Sequence, residues 1–308
     1  MKTITLIIII LLGSLAYSLT LDGKRVDIIQ TAAHPALDST YKGIVDELAA
    51  KKIEIKFANA QGDLNLSNQI AKKFISEKPD AIISIATLAS QSIANSARNR
   101  DIPIVFSSVT DPAGAGLDKE NMNITGVSNF IKLDEQLALF KQILPNMTKL
   151  GFIYNPGEVN SVKILESLRE ISGKYTIEII VSVASKTTEV SSASNKLIGK
   201  VDAIFISNDN TALAAFGVIA KIASNAKIPI FVSDTDMVES GALASLGPNQ
   251  YELGKQTANM LIQILQGKQV KDLPIEYPQK IELVLNQKIA KELGIKFSDE
   301  ILNKDRRP

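Results

Sequence analysis

Polar side chains follow directly on buried segments at several points of the sequence. The stretch "IPIVFSSVTDPAGAGL" at residues 102–117 runs from an apolar segment straight into Thr110 and Asp111, and Asp209 and Asn210 follow another apolar segment. In open parallel α/β sheets, small ligands bind just beyond the carboxyl ends of the strands, where helix N-termini offer free N–H groups. The residue types therefore indicate binding of a small, charged molecule.

Thr87, Ala89 and Ser90 open an Ala-rich helix at one of these strand ends. Their hydroxyls and backbone N–H groups can bind a carboxylate, although ordinary helix capping is an alternative explanation. Asp111 precedes Pro112 in a context typical of turns, so it either pairs with a ligand ammonium or closes the turn.

Glu158, Asn160 and Ser161 form the most distinctive polar group. A helix N-cap explains Asn160 or Ser161 but not the whole combination of an acid with Asn-Ser, so we expect direct ligand contact. Asp209 occupies the position that Thr87 takes in the other half of the chain. Since an acid there suits an amine and Thr87 suits a carboxylate, the two halves are predicted to bind opposite ends of a zwitterion.

His34, the single histidine, either reaches the ligand or lies on the surface, and Tyr154 near a candidate loop either stacks on a ligand ring or packs in the core. Phe106, Phe130 and Phe216 present the same two choices. The candidate ligand-binding residues are Thr87, Ala89, Ser90, Thr110, Asp111, Tyr154, Glu158, Asn160, Ser161, Asp209, Asn210, Asp234 and His34.

Composition excludes several other classes of protein. Lys plus Arg total 34 and Asp plus Glu total 33, so no excess of positive charge is available for nucleic acid. One His and no Cys leave no ligand set for a metal, no thiol chemistry and no disulfide. The phosphate-binding pattern Gly-x4-Gly-Lys-Ser/Thr is absent, and we expect no cofactor.

The N-terminal residues 1–18 have the pattern of a cleavable signal peptide. Lys2 precedes an apolar run at residues 4–12, too short to span a bilayer, and Ala16 and Ser18 fit the small-x-small rule for cleavage. An uncleaved anchor is the alternative. Without a Cys for lipid attachment, the exported protein is predicted to be a free carrier in a periplasm.

The two halves of the chain repeat one another. The segment that begins "DAIISIATLASQSIA" at Asp80 matches the one that begins "DAIFISNDNTALAAF" at Asp202: each has a strand, a polar elbow, an Ala-rich helix, a buried Ile-Pro-Ile strand and a Thr-Asp loop. Continuous apolar strands alternating with amphipathic helices indicate α/β units whose parallel sheets are covered on both faces. The length of 308 residues suits two such domains.

Six short motifs resemble the substrate-binding proteins of ABC transporters, specifically the family for tryptophan and tyrosine uptake. They are "HPALD" at 34–38, "NAQGD" at 59–63, "VTDPAGAGL" at 109–117, "NITGVS" at 123–128, "YNPGEVNS" at 154–161 and "YELGKQT" at 251–257. The resemblance implies a type I periplasmic-binding-protein fold: two Rossmann-like lobes with parallel sheets flanked by helices, and three crossovers at a hinge. By analogy, residues 19–128 with about 249–276 form one lobe, and residues 129–248 with about 277–308 form the other.

The resemblance also implies a function. A small amino-acid-like ligand, expected to be tryptophan, tyrosine or phenylalanine, is captured by closure of the lobes and delivered to an ABC permease in the inner membrane. The protein is expected to be a monomer and not an enzyme. The alternatives are a carrier of nucleosides, branched-chain amino acids or sugars, an exported enzyme using Asp111, Asp209 and Glu158, or a sensor. A regulator's ligand-sensing core shares this fold, but it would need a DNA-binding helix-turn-helix, and the N-terminal segment here has the pattern of an export signal instead.

Overall fold

The computed structural model describes residues 21–118 and 122–305. The predicted signal peptide at residues 1–18 lies outside the described residues. Within the described residues, no helix is both long and apolar enough to cross a membrane.

The first sheet contains five parallel strands in the described part of the chain, in the order β2-β1-β3-β4-β5. Its strands β3, β4 and β5 are buried along their whole length, as expected for a sheet with helices on both faces, whereas β2 is partly exposed. The strands are β1 (Arg25–Gln30), β2 (Glu54–Asn59), β3 (Ala81–Ile85), β4 (Ile104–Val109) and β5 (Ile124–Ser128), and the intervening helices are α1 (Pro35–Ala49), α2 (Leu64–Glu77) and α3 (Thr87–Ser96).

The second sheet has six described strands in the order β11-β10-β9-β8-β6-β7, with β10 and β11 antiparallel and the other described pairs parallel. The strands are β6 (Lys149–Tyr154), β7 (Glu178–Val183), β8 (Ala203–Ile206), β9 (Ile230–Val232), β10 (Ala244–Pro248) and β11 (Ile281–Leu285). Helices between or beside them are α4 (Leu133–Ile143), α5 (Val159–Ser172), α6 (Val190–Asn195), α7 (Asn210–Ala214) and α8 (Phe216–Asn225), with 3-10 turns at Gly173–Tyr175, Thr187–Glu189 and Thr235–Met237.

Within the described residues the chain passes between the two sheets three times. It leaves the first sheet after β5, and it returns after β10 into α9 (Gln250–Leu265), which packs against α1. A 3-10 turn at Val270–Asp272 and the pairing of Glu276 with Val127 keep it beside β5 before it crosses to β11. Helices α10 (Gln287–Leu293) and α11 (Asp299–Leu302) end the described chain. We call the first sheet with its helices and α9 the first lobe, and the rest the second lobe.

Each sheet is buried on both faces by alternating side chains. Ile28 of β1 packs with residues of α1 and α9, whereas its neighbour Ile29 packs with α2 and α3 on the opposite face. In the second lobe, Phe152 and Ile153 divide between two cores in the same way. The predicted α/β architecture of parallel sheets flanked by helices is therefore confirmed.

Two glycines let α1 and α9 cross in close contact. A Cβ built on Gly254 would lie against the carbonyl oxygen of Thr40, and one built on Gly43 against that of Tyr251, both closer than real Cβ atoms approach backbone. The crossing therefore requires glycine at both positions. It fixes α9, whose first residue is Gln250, against the helix that follows His34.

We expect Gly254→Ala to lower the free energy of unfolding by about 1–3 kcal/mol, because the added methyl group must push two helix backbones apart. The measurement is chemical denaturation followed by circular dichroism. The matched control is Gly217→Ala in α8, where a Cβ meets nothing within 4 Å; it should keep or slightly raise stability, since alanine favours a helix over glycine. A Gly254→Ala protein as stable as the unmodified one would contradict the close crossing.

Candidate functional site

The carboxyl ends of strands from both sheets meet at a narrow inner cavity between the lobes. Its free volume is about 10 Å³, which is room for about one water molecule. It is lined from both lobes by His34, Leu37, Ala86, Thr87, Ser108, Thr110, Asn129, Asn160, Asn208, Asn210, Leu213 and Asp234.

A larger outer cleft of about 590 Å³ continues from the inner cavity towards solvent. Thr87, Asn160 and Asn210 line both spaces. The outer cleft lies between the first turns of α2, α3, α5 and α7, and its volume is within the range of small-molecule sites, which is about 300–1,000 Å³. The two spaces together form a single site between the lobes, which we call the interlobe site.

The first lobe contributes a helix start without a side-chain cap. Ala86 precedes α3 with φ 68° and ψ 170° and makes no side-chain hydrogen bond, a backbone conformation that is strained for any residue but glycine. The N–H of Ala89 donates to Thr31 Oγ1 at 3.1 Å. The N–H groups of Thr87 and Leu88, in the first turn, have no acceptor within the helix. This start of α3 can therefore bind an anionic group.

The second lobe contributes a buried carboxyl group. Asp234 follows β9 and is 2% exposed, and burial together with the nearby Asp236 raises its pKa to about 7. Its Oδ1 accepts a hydrogen bond from Gln250 Nε2 of the first lobe. Gln250 Oε1 in turn accepts from Thr40 Oγ1 at 3.0 Å. A carboxyl group at this position can pair with a cation in the inner cavity.

Glu158 organises the elbow between β8 and α7. Its Oε2 accepts from the N–H of Asn210 at 2.9 Å and from Asn210 Nδ2 at 2.7 Å. Its Oε1 accepts from the N–H of Thr211 at 2.9 Å and from Thr211 Oγ1 at 2.7 Å. The carboxylate therefore lines the outer cleft but is already supplied with donors from its own lobe.

Asp209 lies behind the wall of the interlobe site. It is fully buried and accepts hydrogen bonds from the N–H of Asn155 at 2.6 Å, Ser161 Oγ at 2.6 Å and the N–H of Ala212 at 2.7 Å. Burial and the charge of Glu158 raise its pKa to about 7. Asp209 and Ser161 therefore stabilise the elbow between β8 and α7 and do not line the interlobe site.

The remaining candidates divide between the site and its surroundings. Asp111 accepts from the N–H of Gly114 at 3.0 Å in a turn on the outer surface, and Ser90 Oγ donates to the carbonyl oxygen of Ala86 at 2.8 Å. Tyr154 packs on the core beside Phe152. The structure brings His34, Thr87, Thr110, Asn160, Asn210 and Asp234 to the inner cavity, places Glu158 in the outer cleft, and leaves Ala89, Ser90, Asp111, Tyr154, Ser161 and Asp209 outside both.

Sequence reasoning missed several residues of the inner cavity. Asn208 precedes the candidate Asp209, and Asn129 directly follows β5, so both could have been found as polar strand ends. Ser108 reaches the cavity through a bulge in β4, where its φ is 57° and the pairing with β5 shifts register. No local signal in the sequence marks that bulge. Among residues 21–118 and 122–305, no group of three or more His, Cys, Asp or Glu side chains could hold a metal ion.

A family described as ABC transporter substrate binding protein matches residues 25–307. The chain belongs to this family. The resemblance seen in the sequence motifs is thereby confirmed. Among curated relatives of this substrate-binding protein is the tyrosine-binding protein of Clostridioides difficile, which is 36% identical over 282 residues, covering 88% of this chain and 81% of the relative.

Two solved structures of similar sequence differ in how well they superpose on this substrate-binding protein. An ABC domain from Streptococcus pneumoniae in complex with L-Trp is 32% identical with a TM-score of 0.87, covering 92% of this chain and 99% of the other. The ligand-free, open structure of a substrate-binding protein with adhesive properties from Clostridium difficile is 34% identical with a TM-score of 0.67, covering 90% and 96%. This substrate-binding protein thus superposes better on the complex with L-Trp than on the ligand-free, open structure. The prediction of a type I periplasmic-binding-protein fold is confirmed.

We expect Glu158→Gln to lower the free energy of unfolding by about 1–3 kcal/mol, because the new amide group turns donor hydrogens towards N–H and hydroxyl donors that need acceptors. Urea denaturation followed by circular dichroism measures the change. Glu166→Gln is the matched control, since Glu166 lies on the exposed face of the same helix α5 and its replacement should change stability by less than about 0.5 kcal/mol. Equal stability of the two variants would show that the hydrogen bonds of Glu158 do not hold the elbow.

Proposed function

We propose that this substrate-binding protein captures an aromatic amino acid in the interlobe site and delivers it to the permease of an ABC importer. The observation that carries the proposal is the pairing of an uncapped helix start on the first lobe, which can bind an anion, with a buried carboxyl group on the second. A zwitterion is the class of ligand that satisfies both.

The ligand carboxylate binds at the start of α3. The N–H groups of Thr87 and Leu88 and the hydroxyl of Thr87 supply donors, and the positive end of the helix dipole favours a negative charge there. Both residues line the outer cleft, so the carboxylate lies near the junction of the two spaces.

The ligand ammonium enters the inner cavity and pairs with Asp234. An isolated buried carboxylate is costly, and a cation in contact offsets that cost. Asp209 and Glu158, the other acids considered, have donors from the second lobe around them. The same hydrogen bonds leave these two carboxylates poorly placed for acid–base chemistry, which supports binding without turnover.

The ligand side chain occupies the outer cleft. Leu64, Leu88, Val159 and Ala214 supply apolar surface to it, and Leu64 of the first lobe and Val159 of the second are exposed. Burying an aromatic ring between them removes apolar surface from water. The choice of an aromatic amino acid is supported by two relatives, the tyrosine-binding protein and the domain in complex with L-Trp.

Capture proceeds by closure of the lobes. In this structure His34 Nε2 lies 3.4 Å from Asn210 Oδ1, and Asn208 Nδ2 donates to Thr110 Oγ1 at 3.2 Å, so residues of both lobes touch across the inner cavity. A space that holds about one water molecule cannot admit an amino acid until the lobes part. A ligand that contacts both lobes then shifts the population towards the closed state.

The site of action is proposed from the family and the N-terminal sequence together. Residues 1–18 would direct export, and the protein would act as a monomer in a periplasm, where the closed form meets the permease of the inner membrane.

Titration with L-tryptophan tests the proposal directly, because the chain itself contains no Trp. Selective excitation of the ligand indole should show saturable binding to protein lacking residues 1–18, with a Kd in the micromolar range or tighter. The aromatic amino acids should also raise the melting temperature, since a ligand that binds only the folded state stabilises it.

Nucleosides, sugars and branched-chain amino acids serve as controls in the same melting experiment and should leave the midpoint unchanged. A shift with one of these solutes and none with aromatic amino acids would contradict the proposed ligand while leaving the family intact. Chemical change of the bound amino acid, followed by chromatography, would contradict binding without turnover.

Ligand affinity should fall as pH falls, because a proton competes with the ammonium for the Asp234 carboxylate. Burial raises the pKa of Asp234 to about 7, so the carboxylate form dominates above that pH and is lost below it. We expect affinity to drop by about tenfold or more from about pH 8 to about pH 5.5. Calorimetric titration at several pH values measures the change.

Asp234→Asn should weaken binding by about tenfold or more at pH 8 and should flatten the pH profile. The control is Asp236→Asn, which alters the neighbouring carboxyl group, whose pKa burial raises to about 6, and which should keep most of the pH dependence. An unchanged profile in Asp234→Asn would assign the ammonium to another residue.

A further inference from the structure

Two buried hydrogen-bond acceptors of the inner cavity have no partner among the described residues. They are Nδ1 of His34 and Oδ1 of Asn208, and both residues line the cavity. His34 is 4% exposed. Because buried acceptors are almost always paired in folded proteins, two orphans in one small cavity point to a donor that arrives from outside the chain.

The network around His34 fixes its tautomer. Glu158 can only accept hydrogen bonds, so Asn210 turns its Nδ2 towards Glu158, at 2.7 Å. Asn210 Oδ1 then faces His34 Nε2, at 3.4 Å. Nε2 must therefore donate, and Nδ1 is left as an acceptor. Burial lowers the pKa of His34, which keeps the ring neutral and this acceptor available.

A second network fixes the amide of Asn208. Thr110 Oγ1 donates its hydrogen to Asn129 Oδ1 at 3.0 Å, so the same hydroxyl can only accept from Asn208. The distance from Asn208 Nδ2 to Thr110 Oγ1 is 3.2 Å. The amide nitrogen is thus committed to Thr110, and Oδ1 remains an acceptor for a ligand.

We propose that His34 Nδ1, Asn208 Oδ1 and the Asp234 carboxylate together accept the three N–H groups of a primary ammonium, and that this set selects unmethylated amino acids. The inference rests on the proposed function. A primary ammonium has three donors in a group about the size of a water molecule, which matches an inner cavity with room for about one water. Each methyl group on the nitrogen would remove one donor and add bulk where no free volume remains.

The three acceptors have separate roles in binding the ammonium. Asp234 supplies the negative charge. His34 and Asn208 are neutral, and each accepts one N–H of the ammonium, so each loses its partner when that hydrogen is replaced by a methyl group. Glu158 and Thr110 act as positioning residues, since one orients the partner of His34 and the other orients Asn208.

The experiment compares L-tryptophan with two singly methylated forms, one methylated on the α-nitrogen and one on the indole nitrogen. Calorimetric titration of the protein lacking residues 1–18 should show that α-N-methylation weakens binding by about tenfold or more, because one buried acceptor is left unpaired. Indole N-methylation adds the same group in the outer cleft, and the affinity it loses should be several-fold smaller than the loss on α-N-methylation. Equal binding of tryptophan and its α-N-methyl form would overturn the proposal.

Asn208→Leu and His34→Phe should each weaken tryptophan binding. Each should also lower the ratio of the Kd of α-N-methyltryptophan to the Kd of tryptophan. Asn208→Asp, which keeps an acceptor towards the cavity but loses the N–H donated to Thr110, should keep more of that ratio than Asn208→Leu. The ratio is internal to each variant, so it is measurable in a variant of reduced stability, and a melting curve verifies folding. A ratio that stays at the unmodified value in both Asn208→Leu and His34→Phe would overturn the assignment of the two acceptors.

The outcomes separate this inference from the proposed function. If no aromatic amino acid binds, the proposed function fails and the acceptors have another ligand. If tryptophan binds but indole N-methylation lowers the affinity as much as α-N-methylation does, the proposed ligand class stands. The two acceptors would then not select for an unmethylated ammonium.

Discussion

The burial of a carboxyl group between two lobes is the constraint on which the rest of the structure depends. Asp234 is 2% exposed and belongs to the second lobe, while its hydrogen-bond partner Gln250 belongs to the first. A carboxylate in such surroundings needs a proton or a cation. The closed arrangement is therefore best satisfied by a molecule that brings positive charge into the cavity, and a zwitterion brings it together with a negative group for the start of α3.

The polar groups around the cavity prepare it for that charge. Glu158 accepts from the Asn210 and Thr211 side chains and N–H groups, which sets the orientation of Asn210 and through it the tautomer of His34. On the other side, Thr110 orients Asn208. The hydrogens of the binding site are thus arranged in the closed state, because the hydrogen bonds that orient His34 and Asn208 run from one lobe to the other. The close crossing of α1 and α9 holds Gln250 in reach of Asp234.

Much of this arrangement could be predicted from the sequence, because it depends on local pattern. The repeat beginning at Asp80 and Asp202 indicated two parallel sheets, and polar residues after each strand indicated the edge at which the lobes meet. The choice between Asp209 and Asp234 could not be made in this way, since both follow strands. What separates them is the set of donors around Asp209, and one of these, Ser161, lies 48 residues away in the chain. The bulge at Ser108 likewise depends on strand pairing that no short motif encodes.

A crystal structure of the complex with L-tryptophan tests the central claim most directly. We expect the ligand ammonium within about 2.7–3.2 Å of an Asp234 carboxylate oxygen, the ligand carboxylate at the N–H groups of Thr87 and Leu88, and the indole in the outer cleft. An ammonium bound to Asp209, Glu158 or Asp111, or a ligand in the reverse orientation, would contradict it.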